Sequence, residues 1–196
     1  MLILAINGSP NRSGNTATLL QAVLDAAAEE GVEGKLIQVM DAVKKQKMPF
    51  CVACSSPCKE ACHDKDAGLK EACDALESAA AVVLGSPVYF GTVSAQLKAL
   101  WDKTRAVRGR KSLVGKPAAA VSVGAARFGG QETTLRALHY MLLVQGMSVV
   151  GEGTDDDDAG HQGVSAQKPA EEDAYALERA RILGKRLARE VKKAAR

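Results

Sequence analysis

Five short apolar runs mark the chain, at residues 2–6, 36–39, 81–84, 118–123 and 147–150. Each is of strand length, and most are apolar at nearly every position. That pattern suits strands buried on both faces of a parallel sheet. Between them the period becomes helical. Residues 15–30 put Leu19, Leu20, Val23, Leu24 and Ala27 on one stripe, with Gly31 placed to end it. Residues 92–104 repeat the pattern with Ala95, Leu97, Leu100 and Trp101, and residues 131–145 with Leu135, Leu138, Leu142 and Leu143. A last helix over 169–193 carries Tyr175, Leu177, Ile182, Leu183 and Leu187. Strands alternating with helices predict an α/β fold with a doubly wound parallel sheet. The longest interval between strands follows the second one. It holds all five cysteines, so residues 44–66 read as a cysteine-rich insertion. Residues 151–168, with four consecutive aspartates from Asp155 to Asp158, read as a solvated irregular loop.

Composition narrows the class. The length of 196 residues fits one domain with room for an insertion. A net charge of +3 is too small to argue for nucleic acid, and no apolar run is long enough to span a membrane. The first residues lack a basic leader and run straight into a glycine turn, so the expected location is the cytoplasm. Thiols stay reduced there, which makes Cys51, Cys54, Cys58, Cys62 and Cys73 candidates for metal or redox roles rather than disulfides. From Glu178 to Arg196 the tail holds eight Lys/Arg and two Glu. It reads either as an anion-binding surface or as a solvated face, and the macrodipole favours cations there in any case.

After the first strand comes Asn7-Gly8-Ser9-Pro10-Asn11-Arg12-Ser13-Gly14-Asn15-Thr16. It has neither the dinucleotide-binding G-x-G-x-x-G nor the Gly-Lys-Ser/Thr of a P-loop. Small hydroxyl and amide side chains open a helix whose free N–H groups and dipole favour an anion. Ser9, Ser13, Asn15 and Thr16 can add hydrogen bonds and Arg12 can add charge, so a phosphomonoester fits without metal. The plainer reading is a capped helix start. Its position after the first strand of a parallel sheet favours a ligand.

This segment resembles the FMN phosphate loop of the flavodoxin-like NAD(P)H-dependent FMN reductases. After the third strand, Gly85-Ser86-Pro87-Val88-Tyr89-Phe90-Gly91-Thr92 resembles the same family's loop along the flavin ring. After the fourth, Gly124-Ala125-Ala126-Arg127-Phe128-Gly129-Gly130-Gln131-Glu132-Thr133-Thr134 resembles the loop closing the other side. The resemblance covers most of residues 1–150. It implies one flavodoxin-like FMN-binding domain over 1–196, with a five-stranded sheet in the order 2-1-3-4-5. It places FMN against Ser9, Asn11, Arg12, Ser13, Asn15, Thr16, Pro87, Val88, Tyr89, Phe90, Gly91, Gly124, Arg127, Gly129 and Gly130. Independently, Tyr89, Phe90 and Phe128 account for three of only seven aromatics, and Phe50 directly precedes the cysteines. Aromatics at loop tips bury poorly without a ligand or partner, although each could instead plug its loop against the sheet. Tyr140 and Tyr175, at helical spacing, are expected in the core.

Cys51, Cys54, Cys58 and Cys62 fall within twelve residues, with gaps of two, three and three. Such short gaps let one loop wrap a [4Fe–4S] cluster. Zinc would also accept four thiolates, a dithiol pair at Cys51 and Cys54 would be redox-active, and the loop could hold no metal. The run resembles the compact motif of the iron–sulfur flavoproteins, a branch of the same family. It departs at Cys58 from that branch's usual gaps of two, two and about five. Cys73 is expected to be a small buried hydrophobe. His63 is expected at the surface, and His139 and His161 have no evident partner.

The expected function is that of a flavin-dependent oxidoreductase in which FMN carries the chemistry and no residue acts as an obligatory base. With a cluster, electrons would pass between FMN and [4Fe–4S]. The alternatives are an NAD(P)H-dependent FMN or quinone reductase without a cluster, or a non-enzymatic electron carrier or redox sensor. Arg105, Arg108, Arg110, Lys111 and Arg127 could meet NAD(P)H or reduced ferredoxin, or be a solvated cluster. The resemblance implies that one subunit's cysteine loop approaches another's flavin, hence a homodimer or homotetramer.

Overall fold

The computed structural model describes residues 1–63 and 67–195, so the last three positions of the expected insertion lie outside the described residues. Strands β1 (Leu2–Asn7), β2 (Glu33–Gln38), β3 (Ala81–Pro87), β4 (Pro117–Gly124) and β5 (Ser148–Val149) form one parallel sheet in the order β2-β1-β3-β4-β5. The central strands alternate their contacts. Leu4, Ile6, Val82, Leu84, Ala118 and Ala120 face one layer, while Ile3, Ala5, Val83, Ala119 and Val121 face the other. The continuous apolar runs are thus the signature of a sheet covered twice.

Helices α1 (Asn15–Glu29) and α7 (Ala174–Ala194) cover one face. Helices α2 (Val39–Val43), α3 (Ala67–Ser78), α4 (Ala95–Asp102), α5 (Arg105–Arg110) and α6 (Gln131–Leu143) cover the other. Leu19, Leu20 and Val23 of α1 are fully buried, each contributing about 1.5–3 kcal/mol. In α3 the buried stripe includes Cys73, as expected, and burial pushes its thiol up to about 12.

Five sequence expectations change. The fifth strand is not continuous over 147–150. It breaks after Val149, and a sixth strand, β6 (Val164–Gln167), resumes along the same edge of β4. Its alternation of buried Val164 and Ala166 with exposed Ser165 and Gln167 marks an outer strand, which is why no apolar run announced it. The aspartate run is not merely solvated. Asp158 accepts from Arg179 at 2.8 and 3.0 Å, and Asp156 pairs with Arg189, so the tail's cations tether this excursion to α7. The final helix starts at Ala174 rather than 169, because Asp173 caps it by accepting from Ala176 N at 3.0 Å. The helix expected over 92–104 is shorter: Ser94 caps α4 through Leu97 N, and the chain restarts as α5 after Thr104. Tyr140 and Tyr175 are exposed, not core, because their helices turn other stripes inward.

Candidate functional site

The loops after β1, β3 and β4 leave from the carboxyl ends of adjacent strands. The strand order reverses between β1 and β3, where such sheets leave a crevice. Gly8 N donates to Gly85 O at 2.8 Å and Ser94 Oγ to Gly8 O at 2.5 Å, which ties the first loop to the second. Val88 N donates to Val123 O at 2.8 Å, and Thr133 Oγ1 to Gly91 O at 2.8 Å, which ties the second to the third.

In the first loop, several side chains expected to face a ligand hold the loop instead. Asn11 Oδ1 accepts from Ser13 N at 3.2 Å, buried Ser9 Oγ accepts from Asn11 N at 3.1 Å, and Asn15 Oδ1 accepts from Ala170 N at 2.7 Å. Short amide and hydroxyl side chains readily capture nearby backbone donors. Arg12 is ion-paired with Asp41, and Lys44 first, then Arg12, hold that carboxyl below its usual range. Gly14 caps α1 with no side-chain bond, so the first N–H groups of the helix, at Asn15 and Thr16, stay available to an anion.

The second loop turns at Phe90 and Gly91, with φ of 49° and 79°, between the paired Tyr89 and Thr92. Two successive left-handed residues make the tight turn that strand twist favours, and only Gly91 adopts it without strain. Phe128 in the third loop is also left-handed, at 59°. Relative exposure is 108% for Phe90, 91% for Phe128 and 43% for Tyr89, so these rings are presented outward rather than plugging the loops. Arg127 lies over the Phe128 ring, 5.4 Å from its centre. Gln131, which the sequence did not single out, organises this loop: buried beneath Gly124, its Nε2 donates to Ala126 O at 2.8 Å and Ala166 O at 3.3 Å. A cleft of about 830 Å³ opens beside it, lined by Arg127, Phe128, Gly130, Lys168 and Tyr175 among others.

The cysteine loop packs beside α3, α4 and α5. All four thiols are free; Cys51, Cys58 and Cys62 are half-buried and Cys54 is exposed. Ala53, at φ 48°, turns its N–H onto Cys51 Sγ at 3.4 Å. Burial pushes the Cys62 thiol up, Lys103 opposes this, and Cys58 and Cys51 add to it, so Cys62 lies within electrostatic reach of both. Among the described residues, no three His, Cys, Asp or Glu side chains converge as a metal site.

His63 is buried, not at the surface. Its Nδ1 lies 3.2 Å from Glu60 and its Nε2 3.4 Å from Lys103 O and 3.7 Å from Cys73 Sγ. Arg110, though exposed, is an ion-paired cation: it grips both Glu60 oxygens at 2.7 and 3.0 Å and Glu77 at 2.7 Å. That grip lowers both carboxyls. His161 also has a partner, Glu152, at 2.8 Å.

Comparison with known proteins agrees with this geometry. The family model described as NADPH-dependent FMN reductase matches residues 1–155. An iron-sulfur flavoprotein of Methanocaldococcus jannaschii is 42% identical over 198 residues, covering 98% of each chain. An NAD(P)H dehydrogenase (quinone) of Chromohalobacter salexigens is 36% identical over 139 residues, 70% of this chain and 65% of its own. In fold, a WrbA-like flavodoxin structure from Agrobacterium tumefaciens matches with a TM-score of 0.71 and 19% identity, covering 98% of each chain.

Proposed function

The chain belongs to the NADPH-dependent FMN reductase family, and from that premise we propose that this flavin-dependent oxidoreductase exchanges electrons between FMN and a [4Fe–4S] cluster on Cys51, Cys54, Cys58 and Cys62. The chemistry of the donors suits both groups, although the four thiols are not gathered on one point here. At the start of α1 the N–H groups of Asn15 and Thr16 are open to a phosphate, and the exposed rings of Tyr89, Phe90 and Phe128 border the adjoining loops. The cysteine loop offers four free thiols and an N–H aimed at one sulfur. FMN, when bound, supplies electron exchange in pairs or singly, and a cubane supplies it singly.

The protein's own part is to bind, orient and shield. Ser13 and Thr16, with the open N–H groups, take the phosphate; Ser9, Asn11 and Asn15 hold the loop in shape, and Arg12 adds rim charge shared with Asp41. Pro87, Val88, Tyr89, Phe90 and Gly91 line one side of the ring. Gly124, Arg127, Gly129 and Gly130 line the other. Exposed rings this large exclude water only when covered, so a homodimer or homotetramer that brings a second copy over Phe90 and Phe128 completes the site. Arg127 forms no ion pair among the described residues and is placed to meet the donor, NAD(P)H or reduced ferredoxin.

The observation that carries this reading is the set of four free thiols on one loop, in a chain aligned end to end with an iron-sulfur flavoprotein. Anaerobic purification followed by iron, sulfide and flavin analysis tests it. About four irons and four sulfides per FMN are expected. A second reading, an NAD(P)H-dependent FMN or quinone reductase without a cluster, is favoured by the relative named as an NAD(P)H dehydrogenase (quinone). It would give FMN without iron, and steady NAD(P)H turnover with a quinone.

A further inference from the structure

Lys103 is 4% exposed, yet its ammonium has one polar partner, Gln46 Oε1 at 3.1 Å, and no ion pair among the described residues. A lysine charge buried without a counter-charge is costly, and folds normally pair it. Among the described residues, acidic side chains on the adjoining segments are committed elsewhere: Glu60 to Arg110 and His63, Asp102 to Lys98 and Glu77 to Arg110. The residue instead addresses the thiol loop from both ends. Its carbonyl lies 3.4 Å from His63 Nε2, next to Cys62 in sequence. Its side-chain partner Gln46 donates to Cys62 O at 3.2 Å. Arg105, two residues on, donates to Ser55 O at 3.3 Å, so the turn between α4 and α5 and the thiol loop are fastened together.

We propose that Lys103 is the counter-cation of an anionic, thiolate-held group in the 51–62 loop and sets that group's reduction potential. The inference rests on the cluster reading above. Four thiolates around a [4Fe–4S] core leave a net negative charge in each of its usual oxidation states. One electron accepted from the flavin or an external reductant, with no proton, makes that charge more negative by one. An ammonium sealed from water favours the more negative state, because its field is weakly screened there. Lys103 is therefore a tuning and positioning residue, not a catalytic one.

The test compares Lys103→Met and Lys103→Arg with the wild type in the whole protein purified without oxygen. Iron and FMN content are measured first. The iron–sulfur midpoint is then read by electron paramagnetic resonance during a dithionite titration. Lys103→Met is expected to keep FMN and iron and to shift the reduction equilibrium about tenfold toward the oxidised form, a midpoint about 59 mV lower. Lys103→Arg should stay near the wild type. Iron lost from Lys103→Met but kept by Lys103→Arg, with FMN retained in both, also supports the charge role. An unchanged midpoint in iron-loaded Lys103→Met overturns the proposal and leaves the cluster reading standing. Equal loss of iron from both variants overturns it too, by making Lys103 a packing element. A wild type without iron overturns the proposal and the cluster reading together.

Discussion

Replacing Gly124 with alanine tests whether the third loop is held from beneath by Gln131. A Cβ at position 124 would stand 2.4 Å from Gln131 Nε2 and 2.6 Å from its Cδ, well inside contact distance. The amide is the end of a flexible side chain, so it can move, but only by giving up its bonds to Ala126 O and Ala166 O. Each such bond has a net worth of about 0.5–1.5 kcal/mol, so the pair represents about 1–3 kcal/mol. Ala126 lies in the loop that borders the proposed flavin ring, so the cost falls on the conformation that receives FMN. At about 1.4 kcal/mol per tenfold, the FMN Kd of Gly124→Ala should rise about 5- to 150-fold. Quenching of FMN fluorescence by the apoprotein measures it. In a Gln131→Ala background the obstacle is gone, and adding Gly124→Ala should cost almost nothing further. A wild-type Kd for Gly124→Ala, or penalties that simply add in the double variant, would refute the reasoning.

Cys51→Ser should abolish iron binding and leave FMN bound, since the thiol loop and the flavin loops are separately fastened; loss of both, by metal and flavin analysis, would make the loop structural. Glu152 is 1% exposed and accepts from His161 N and Gly163 N at 3.0 and 2.9 Å, with Arg179 Nε at 3.4 Å, so Glu152→Ala should cost about 3–5 kcal/mol in urea unfolding; a loss under about 1 kcal/mol would contradict this. Arg179 holds the Asp158 carboxyl below its ordinary 3.8, so this pair contributes stability above that pH and loses it as the pH falls through the folded-state value. Asp158→Asn should flatten the acid side of the unfolding-midpoint profile, and an unaltered slope would show that the pair is not linked to folding.

The central strands and the two covered faces were legible because burial on both sides requires continuous apolar runs such as 2–6, 81–84 and 118–123. The edge strand β6 was not, because half of its residues face water and four residues carry little periodicity. The phosphate-type loop was legible from residue types alone, yet the roles of Asn11 and Asn15 were not. The same amide can face a ligand or capture a neighbouring N–H, and only the folded path of 168–170 brings Ala170 to Asn15.

By itself, the sequence determined the α/β architecture, the three strand-end loops and the four-thiol run, since each is a local pattern whose physics acts over a few neighbouring residues. Only the tertiary structure decided which charges are spent and which are left over. Arg12 is taken by Asp41, and Arg110 by Glu60 and Glu77. The aspartate run is tied to α7 through Asp156 and Asp158, while Lys103 is buried beside the thiol loop with no carboxylate partner among the described residues. Those pairings join residues 21 to 57 positions apart, and Coulomb energy depends on distance in space and on exclusion of water, neither of which a linear pattern records.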